Sequence, residues 1–220
     1  HRDLHRLIRR QRQMCIRDRA ITKKDKQLLE EGWEKWLLDL VAIGTVTDMM
    51  PLLGENRTLV KYGLIVLNKT KRIGLNELFR KAGINKKNLD SHNIGFQVGP
   101  RLNAAGRINH ANMAFKLLTS KSKDEAIRIA KDIDQTNLER QKITETIIKE
   151  IEAIEGEITE DKKLIFIIGR GWAHGMIGLV AGKLSDKYYK PSIVVTKTDG
   201  KIVGSGRSIP ELDITAVLEK

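Results

Sequence analysis

Gly99-Pro100-Arg101-Leu102-Asn103-Ala104-Ala105-Gly106-Arg107 is the stretch around which the rest of the chain is organised. Its side chains are too small for a typical core helix, and its two arginines and one asparagine are too polar for a core strand. We therefore expect a tight connection that brings two guanidinium groups close to backbone. Arginine is well suited to bidentate contact with phosphate. Solvated arginines in an ordinary loop are an equally open interpretation.

The first residues, His1–Arg19, resemble the translation of a transposon-based sequencing adapter. We expect residues 1–19 to be an artefactual, disordered leader that takes no part in the fold; the alternative is a basic arm that binds nucleic acid. The leader carries seven Arg, two Asp and the single cysteine, so the formal charge of +12 falls to +7 for Ala20–Lys220. That charge permits a polyanionic partner without requiring one.

Helical periodicity dominates the chain up to about residue 154. Apolar residues recur at spacings of three and four, which predicts helices over Lys26–Val46, with the clearest periodicity from Trp33 onward, and over Asn56–Asn68, Leu75–Ala82, Asn112–Leu118 and Lys123–Ile154. We expect Asn88–Val98 to be irregular. The longest helix is polar in its middle, which indicates either a solvated face or a cleft between two lobes. The candidate cleft residues are Asn137, Arg140 and Gln141.

The last sixty residues alternate strands and helices. The continuous apolar run Leu164–Ile168 predicts a buried strand, and Met176–Tyr188 predicts a helix with small residues on one side. Strands are expected over Ser192–Thr196 and Lys201–Arg207, with a helix beginning near Asp213. Strand, helix and strand in this order predict an α/β unit.

Two segments of this α/β part could bind an anion. Gly204-Ser205-Gly206-Arg207-Ser208 offers a cation, two hydroxyls and backbone N–H groups. Trp172-Ala173-His174-Gly175 precedes the start of a helix, where backbone N–H groups also favour anions. Neither is specific alone, because glycine-rich strand ends and a buried tryptophan need no ligand.

Asp48 is a carboxylate at a helix end among apolar neighbours, in Thr47-Asp48-Met49-Met50-Pro51. Such a carboxylate must be paired, must cap a helix or must bind a metal. Capping of the next helix is the commoner case. No cluster of further acidic or histidine residues in the sequence identifies the other ligands of a metal site.

The order of these motifs resembles the RecJ type of the DHH phosphoesterases, a family named after an Asp-His-His motif. The resemblance rests on Asp39–Leu52, Arg57–Leu67, Gly99–Arg107, Asn137–Gln141, Gly171–Leu184 and Gly204–Ile209. It implies an α/β protein: the mostly helical end of a DHH domain over residues 20–120, a connecting helix and linker over 121–160, and an incomplete DHHA1 domain over 161–220. The upstream aspartate and Asp-His-His motifs and the final glycine-rich histidine motif do not occur in this sequence, so we expect an internal fragment.

The same resemblance implies a metal-dependent 5′-to-3′ exonuclease on single-stranded DNA, acting in repair and recombination, with Mn²⁺ or Mg²⁺ as cofactor. Asp48 would be a catalytic metal ligand, and the residues that hold nucleic acid or its 5′ phosphate would be Arg101, Asn103, Arg107, Ser205, Arg207 and Ser208. The fragment alone is expected to be inactive.

Two other functional interpretations stay open from the sequence. One is a phosphoesterase of the same family that degrades short RNA or cyclic dinucleotides; the other is a non-catalytic nucleic-acid-binding module. The resemblance also implies a single-strand-binding protein or a helicase as a candidate protein partner. No apolar run approaches the eighteen residues of a membrane span, so we expect no membrane association and a cytoplasmic protein.

Overall fold

A computed structural model of the chain describes residues 32–108, 112–156, 161–198 and 200–219. The expected leader, residues 1–19, lies outside these ranges. The chain divides into two compact units between Gly99 and Pro100. The functional domain boundaries expected near residues 120 and 160 stay predictions.

Helices build the first unit. They are a 3₁₀ helix at Trp33–Leu37, α1 at Leu38–Thr47, α2 at Gly54–Lys69, α3 at Ile73–Lys81 and a 3₁₀ turn at Lys86–Asn88. The helices expected from apolar spacing in these three places are confirmed over the described residues; the first part of the helix expected at Lys26–Val46, residues 26–31, lies outside them. Fully buried side chains from all three α-helices form the core, among them Ala42, Leu67, Leu75 and Leu78. Burial of such side chains is the main favourable term in folding.

The contact between α1 and α2 depends on Gly63. A Cβ placed on Gly63 would overlap the Leu38 carbonyl oxygen and lie 2.5 Å from Ala42 Cβ. Only glycine permits this approach, because any other residue would meet the backbone of α1. The close packing fixes α1, which ends immediately before Asp48.

The segment Asn88–Val98 is helical from Ser91 onward, so the expectation of irregular structure is wrong for most of it. It forms one helical turn at Ser91–Asn93 and a π-helix at Ile94–Val98. Asp90 and Asn93 form a capping box, in which each side chain accepts a hydrogen bond from the other residue's backbone N–H. Burial of Ile94 and Val98 holds the segment in helical form despite its glycine and its polar residues.

The stretch Gly99–Arg107 is also helical, and the expected tight connection is wrong. It forms α4 at Gly99–Ile108, with Pro100 in the first turn, where its missing N–H is tolerated. Ala104 and Ala105 are fully buried. Small side chains are therefore what lets this helix pack closely, rather than evidence against a helix.

The second unit combines helices with a small sheet. It contains α5 at Asn112–Thr119, α6 at Lys123–Glu155, β1 at Ile165–Arg170, α7 at His174–Tyr188, β2 at Ser192–Thr198, β3 at Lys201–Arg207 and α8 at Ile214–Leu218. The strand order is β1-β2-β3, with β1 parallel to β2 and β2 antiparallel to β3. These elements confirm the expected long helix and α/β unit.

One face of the sheet packs on α7, and a core of side chains from α6, α7, β1 and β2 lies there. Its fully buried members are Ile151, Ile165, Val180, Ala181, Leu184 and Val194. On β1, burial alternates: Ile165 and Ile167 are buried, whereas Phe166 and Ile168 are largely exposed. The expectation that this apolar strand is buried on both faces is therefore wrong. None of the helices in the described ranges combines the length and the hydropathy that a membrane span requires.

Candidate nucleic-acid interface

Ser205 and Arg207 of β3 project from the sheet face that carries α7. Ser205 pairs with Val194 and Arg207 with Ser192, which are both buried on that face. Since side chains two residues apart on a strand point the same way, the hydroxyl and the guanidinium lie side by side. The Arg207 side chain is solvent-exposed, and that of Ser205 is half-buried.

Gly178 of α7 lies directly opposite this pair. A Cβ placed on Gly178 would be 3.1 Å from Ser205 Oγ and 3.5 Å from Arg207 Nη2. Glycine at this position therefore brings the helix backbone close to both polar groups, without a side chain between them. A solvent-exposed guanidinium beside a hydroxyl offers charge and hydrogen-bond donors suited to an anion.

Ser208, the third residue of the expected anion cradle, is oriented differently. Its hydroxyl donates a hydrogen bond to the Leu212 carbonyl oxygen at 2.7 Å, so it stabilises the loop that follows β3. Arg207 Nη1 donates to the Gly206 carbonyl oxygen at 2.8 Å. The structure thus brings Ser205 and Arg207 together, whereas the Ser208 hydroxyl is hydrogen-bonded within its own loop.

The turn before α7 is anchored by Trp172. The indole Nε1 donates to Glu150 Oε2 of α6 at 3.0 Å, and the Trp172 carbonyl accepts from Thr196 Oγ1 at 3.0 Å. A Cβ on Gly169 would overlap the indole ring, so glycine is required beneath it. Nothing in the sequence identified Glu150 as the hydrogen-bond partner of Trp172. His174, the first residue of α7, is exposed.

Arg101 and Asn103, on α4, differ in their surroundings. Arg101 Nε forms an ion pair with Asp134 Oδ1 of α6 at 2.9 Å, and both side chains are largely buried. The Asn103 side chain is exposed. Arg107 lies in α4, but its side chain is outside what the structure describes. The guanidinium of Arg101 is therefore held in place by a carboxylate rather than solvated in a loop.

One side of the polar middle of α6 is buried, so the interpretation of this patch as a solvated face is wrong for that side. Arg140 Nη2 donates to Asn137 Oδ1 at 3.0 Å, and Thr144 Oγ1 donates to the Arg140 carbonyl at 2.8 Å. Asn137 and Thr144 are almost fully buried, whereas Gln141 is exposed. Buried polar groups of this kind are stabilised by such hydrogen bonds.

A second ion pair in this unit joins α6 to α7. Lys187 Nζ lies 2.6 Å from Glu152 Oε1, and Tyr188 Oη donates to the same oxygen at 3.2 Å. The hydrogen bond from Lys187 is the largest influence and lowers the pKa of Glu152 below its ordinary value. The bond from Glu152 likewise raises the pKa of Lys187. The pair fixes the far end of α7, away from Gly178.

Asp48 follows α1 as its C-terminal cap, and its side chain is exposed. The expectation of a carboxylate surrounded by apolar side chains is therefore wrong. Met49 has a φ of 55° and Met50 is buried; the chain turns sharply here, and the carboxylate projects outward. Asp48 does not cap α2 either, because the residue before that helix is Leu53 and no side chain caps it. Among the described residues, no group of three or more His, Cys, Asp or Glu side chains is placed to hold a metal.

Comparison with known proteins identifies relatives along most of the chain. No protein-family model matches it. The single-stranded-DNA-specific exonuclease RecJ of Bacillus subtilis (strain 168) is 43% identical over 176 residues, which are 79% of this chain and 22% of the relative. The crystal structure of RecJ in complex with Mg²⁺ from Thermus thermophilus matches with a TM-score of 0.75 and 28% identity, over 84% of this chain and 28% of that one. A crystal structure of exonuclease RecJ bound to manganese matches with a TM-score of 0.70 and 26% identity, over 89% and 48% of the two chains.

These similarities confirm the resemblance to RecJ-type proteins and the expected order of a helical part followed by a small α/β part. The chain spans between 22% and 48% of the length of the proteins it matches here. The similarity therefore covers a segment of these proteins, and the roles of individual residues in this segment stay predictions.

Proposed function

We propose that this chain, a homologue of a segment of the RecJ-type exonucleases, belongs to a metal-dependent enzyme that degrades single-stranded DNA from the 5′ end in DNA repair and recombination. Its second unit holds the terminal 5′ phosphate. The observation that supports this assignment is the position of Ser205 and Arg207, side by side on β3 and opposite Gly178 of α7.

The chemistry of a terminal phosphate suits this site. A terminal phosphate carries up to one negative charge more than an internal phosphodiester near neutral pH and has three outer oxygens that accept hydrogen bonds. The Arg207 guanidinium supplies charge and donors, and the Ser205 hydroxyl supplies a donor at a fixed height above the sheet. Because Gly178 has no side chain, α7 packs against Ser205 and Arg207 without displacing either group, and phosphate oxygens can reach them from the solvent-exposed side of Arg207. The Ser208 hydroxyl joins only if it releases the Leu212 carbonyl.

Residues on α4 are proposed to contact the DNA backbone further along the strand. The ion pair with Asp134 fixes the direction of the Arg101 side chain, and Asn103 is exposed on the same helix. Arg107 is the third residue of this group, by its place in the shared motif. Orienting side chains in advance lowers the entropic cost of holding a flexible strand.

Asp48 is proposed to supply one ligand to the divalent metal, Mn²⁺ or Mg²⁺. Its exposed carboxylate is a chemically suitable oxygen ligand. One carboxylate is not a complete site, and the described residues provide no cluster that completes it; the other ligands must come from elsewhere in the enzyme. A bound divalent metal would stabilise charge on the phosphoryl group and activate water. A cytoplasmic location and a single-strand-binding protein or helicase as partner belong to the same proposal.

Fluorescence anisotropy with two labelled oligonucleotides tests the phosphate site. One carries a 5′ phosphate and the other a 5′ hydroxyl. Hydrogen bonds to charged groups contribute roughly 1.5–3 kcal/mol, so Arg207→Ala should weaken binding of the phosphorylated strand about ten- to a hundredfold and that of the hydroxyl strand much less. Arg170→Ala is the matched control, because Arg170 is an exposed arginine on the other face of the same sheet.

The control should change binding of both strands equally and only slightly. Equal losses for the two strands in Arg207→Ala would reject the pocket and leave a non-specific basic surface, whose binding falls steeply with salt. The leader's charge is common to every variant and cancels in these comparisons.

A further inference from the structure

Two exposed aromatic rings lie together on the first unit, and the proposed function makes no use of them. The His92 and Phe96 ring centroids are 4.6 Å apart, with the planes tilted by 30°. Phe96 is 69% exposed, and His92 is exposed as well. A phenyl ring exposed to solvent does not contribute the stability that a buried one does. Its exposed face is available to stack on a planar partner.

The backbone beneath Phe96 is fixed firmly. Phe96 belongs to the π-helix Ile94–Val98, a rare geometry that often occurs at functional sites. Ile94 and Val98, on either side of Phe96, are fully buried. The preceding turn is fixed by the capping box of Asp90 and Asn93. The phenyl ring is thus presented on a rigid base rather than on a mobile loop.

The π-helix also lies against the end of α1 that leads to Asp48. A Cβ on Gly95 would lie 3.6 Å from Val46 Cγ1, and a Cβ on Gly99 would lie 2.8 Å from Thr47 Oγ1. Thr47 is the residue directly before Asp48. The segment that bears Phe96 is therefore packed on the last turn of the helix that presents the proposed metal ligand.

We propose that Phe96, backed by His92, stacks on an unpaired base of single-stranded DNA close to the Asp48 turn. This inference rests on the proposed function and adds a base-binding subsite to it. Every DNA base has a planar aromatic face. One rigid aromatic ring can therefore stack on any base, whatever the sequence of the strand. A duplex has its bases already stacked, and it offers no face to Phe96; the subsite therefore favours single strands.

The test measures the affinity of the full chain for two strands of equal length, one of thymidines and one of abasic sites. Loss of one base–aromatic contact weakens binding about five- to a hundredfold, so Phe96→Ala should lose this factor on the thymidine strand and nothing on the abasic strand. Phe96→Trp should keep or strengthen thymidine binding. Phe115→Ala is the matched control, because Phe115 on α5 is 66% exposed and belongs to the other compact unit.

The outcomes separate this inference from the proposed function. Equal affinity of wild type and Phe96→Ala for thymidines, with normal 5′-phosphate discrimination, overturns the stacking subsite alone. An equal loss in Phe115→Ala also overturns it, because any exposed phenyl would then suffice. If the wild-type chain binds neither strand, both the subsite and the proposed DNA contact fail. Since Phe96 is exposed, its replacement should leave the far-UV circular dichroism spectrum unchanged.

Discussion

Gly63 provides the sharpest test of the packing that positions Asp48. In Gly63→Ala the new methyl carbon would overlap the Leu38 carbonyl oxygen and lie 2.5 Å from Ala42 Cβ. Ordinary carbon contacts lie at about 3.5–4.0 Å, so α1 and α2 must separate by roughly 1 Å. Both obstructing atoms belong to the backbone or are fixed to it, and no side-chain rotation can relieve the overlap.

Two effects of the substitution oppose each other. Alanine favours a helix over glycine by about 1 kcal/mol, whereas overpacking of a tight contact costs about 1–3 kcal/mol. Because the overlap is with backbone, the upper half of that range applies, and the free energy of unfolding should fall by about 1–2 kcal/mol. Gly44→Ala is the matched control: Gly44 lies inside α1, and nothing lies within 4 Å of a Cβ placed there. It should stabilise the chain by up to about 1 kcal/mol.

Urea unfolding followed by far-UV circular dichroism measures both variants. The midpoint should move down in Gly63→Ala and up in Gly44→Ala, with the same slope against urea as wild type. Each variant adds one methyl group to a helix of the same unit, so the entropy effect on the unfolded chain is common to both. The reasoning is refuted if Gly63→Ala is as stable as Gly44→Ala, since the contact would then tolerate a side chain.

Three further changes have expected outcomes. Arg72 Nε lies 2.7 Å from the buried Asp39 carboxylate, so Arg72→Met should lower the free energy of unfolding by about 3 kcal/mol in urea. The pKa of Glu152 is lowered by Lys187, so ionised Glu152 stabilises the fold above its ordinary pKa; thermal melts should show Glu152→Gln less stable near neutral pH, with the difference vanishing as pH falls through the lowered pKa. The chain should show no Mn²⁺-dependent release of nucleotides from 5′-phosphorylated single strands, because no group of three or more His, Cys, Asp or Glu side chains among the described residues is placed to hold metal, and a two-metal site needs more than one carboxylate.

Each of these has a control or a contrary result. Arg80→Met removes an ion pair with Glu77 in which the Arg80 side chain is 65% exposed, and it should cost less than about 1 kcal/mol; a cost equal to that of Arg72→Met would contradict the role of burial. A stability difference for Glu152→Gln that is constant between neutral and acidic pH would show that the bond with Lys187 does not act through charge. Turnover by the chain that disappears in Asp48→Ala would show a complete site.

Long amphipathic helices could be predicted from the sequence because burial and periodicity agree there. In α2 and α6 apolar residues recur at helical spacing, and the predicted limits fall within two residues of the observed ones. The π-helix Ile94–Val98 and α4 could not be found in this way, since each buries only two or three small or widely spaced side chains. The position of Pro100 was the one local signal for the start of α4.

In strand β1 the sequence pattern predicted more burial than the structure shows. Its run of apolar residues is continuous, and such runs usually belong to strands covered on both faces. In the described residues Phe166 and Ile168 face outward and stay largely exposed. The sequence pattern of a strand shows which of its faces are apolar. Whether another layer of helices or strands covers a face depends on how the elements pack together. Asp48 was misjudged for a related reason, because its neighbours in sequence are apolar while the left-handed turn at Met49 directs it outward.

The candidate phosphate site shows what a motif can and cannot specify. Ser205, Arg207 and Ser208 are close in sequence, and the motif groups all three. The period of two in a strand places Ser205 and Arg207 on one face, whereas Ser208 comes after the end of β3 and bonds to the following loop. Gly178, which completes the site from α7, is 27 positions before Ser205 and carries no functional group to identify it. The chemistry of the site could therefore be inferred from the sequence, but its geometry depends on a residue whose contribution is the absence of a side chain.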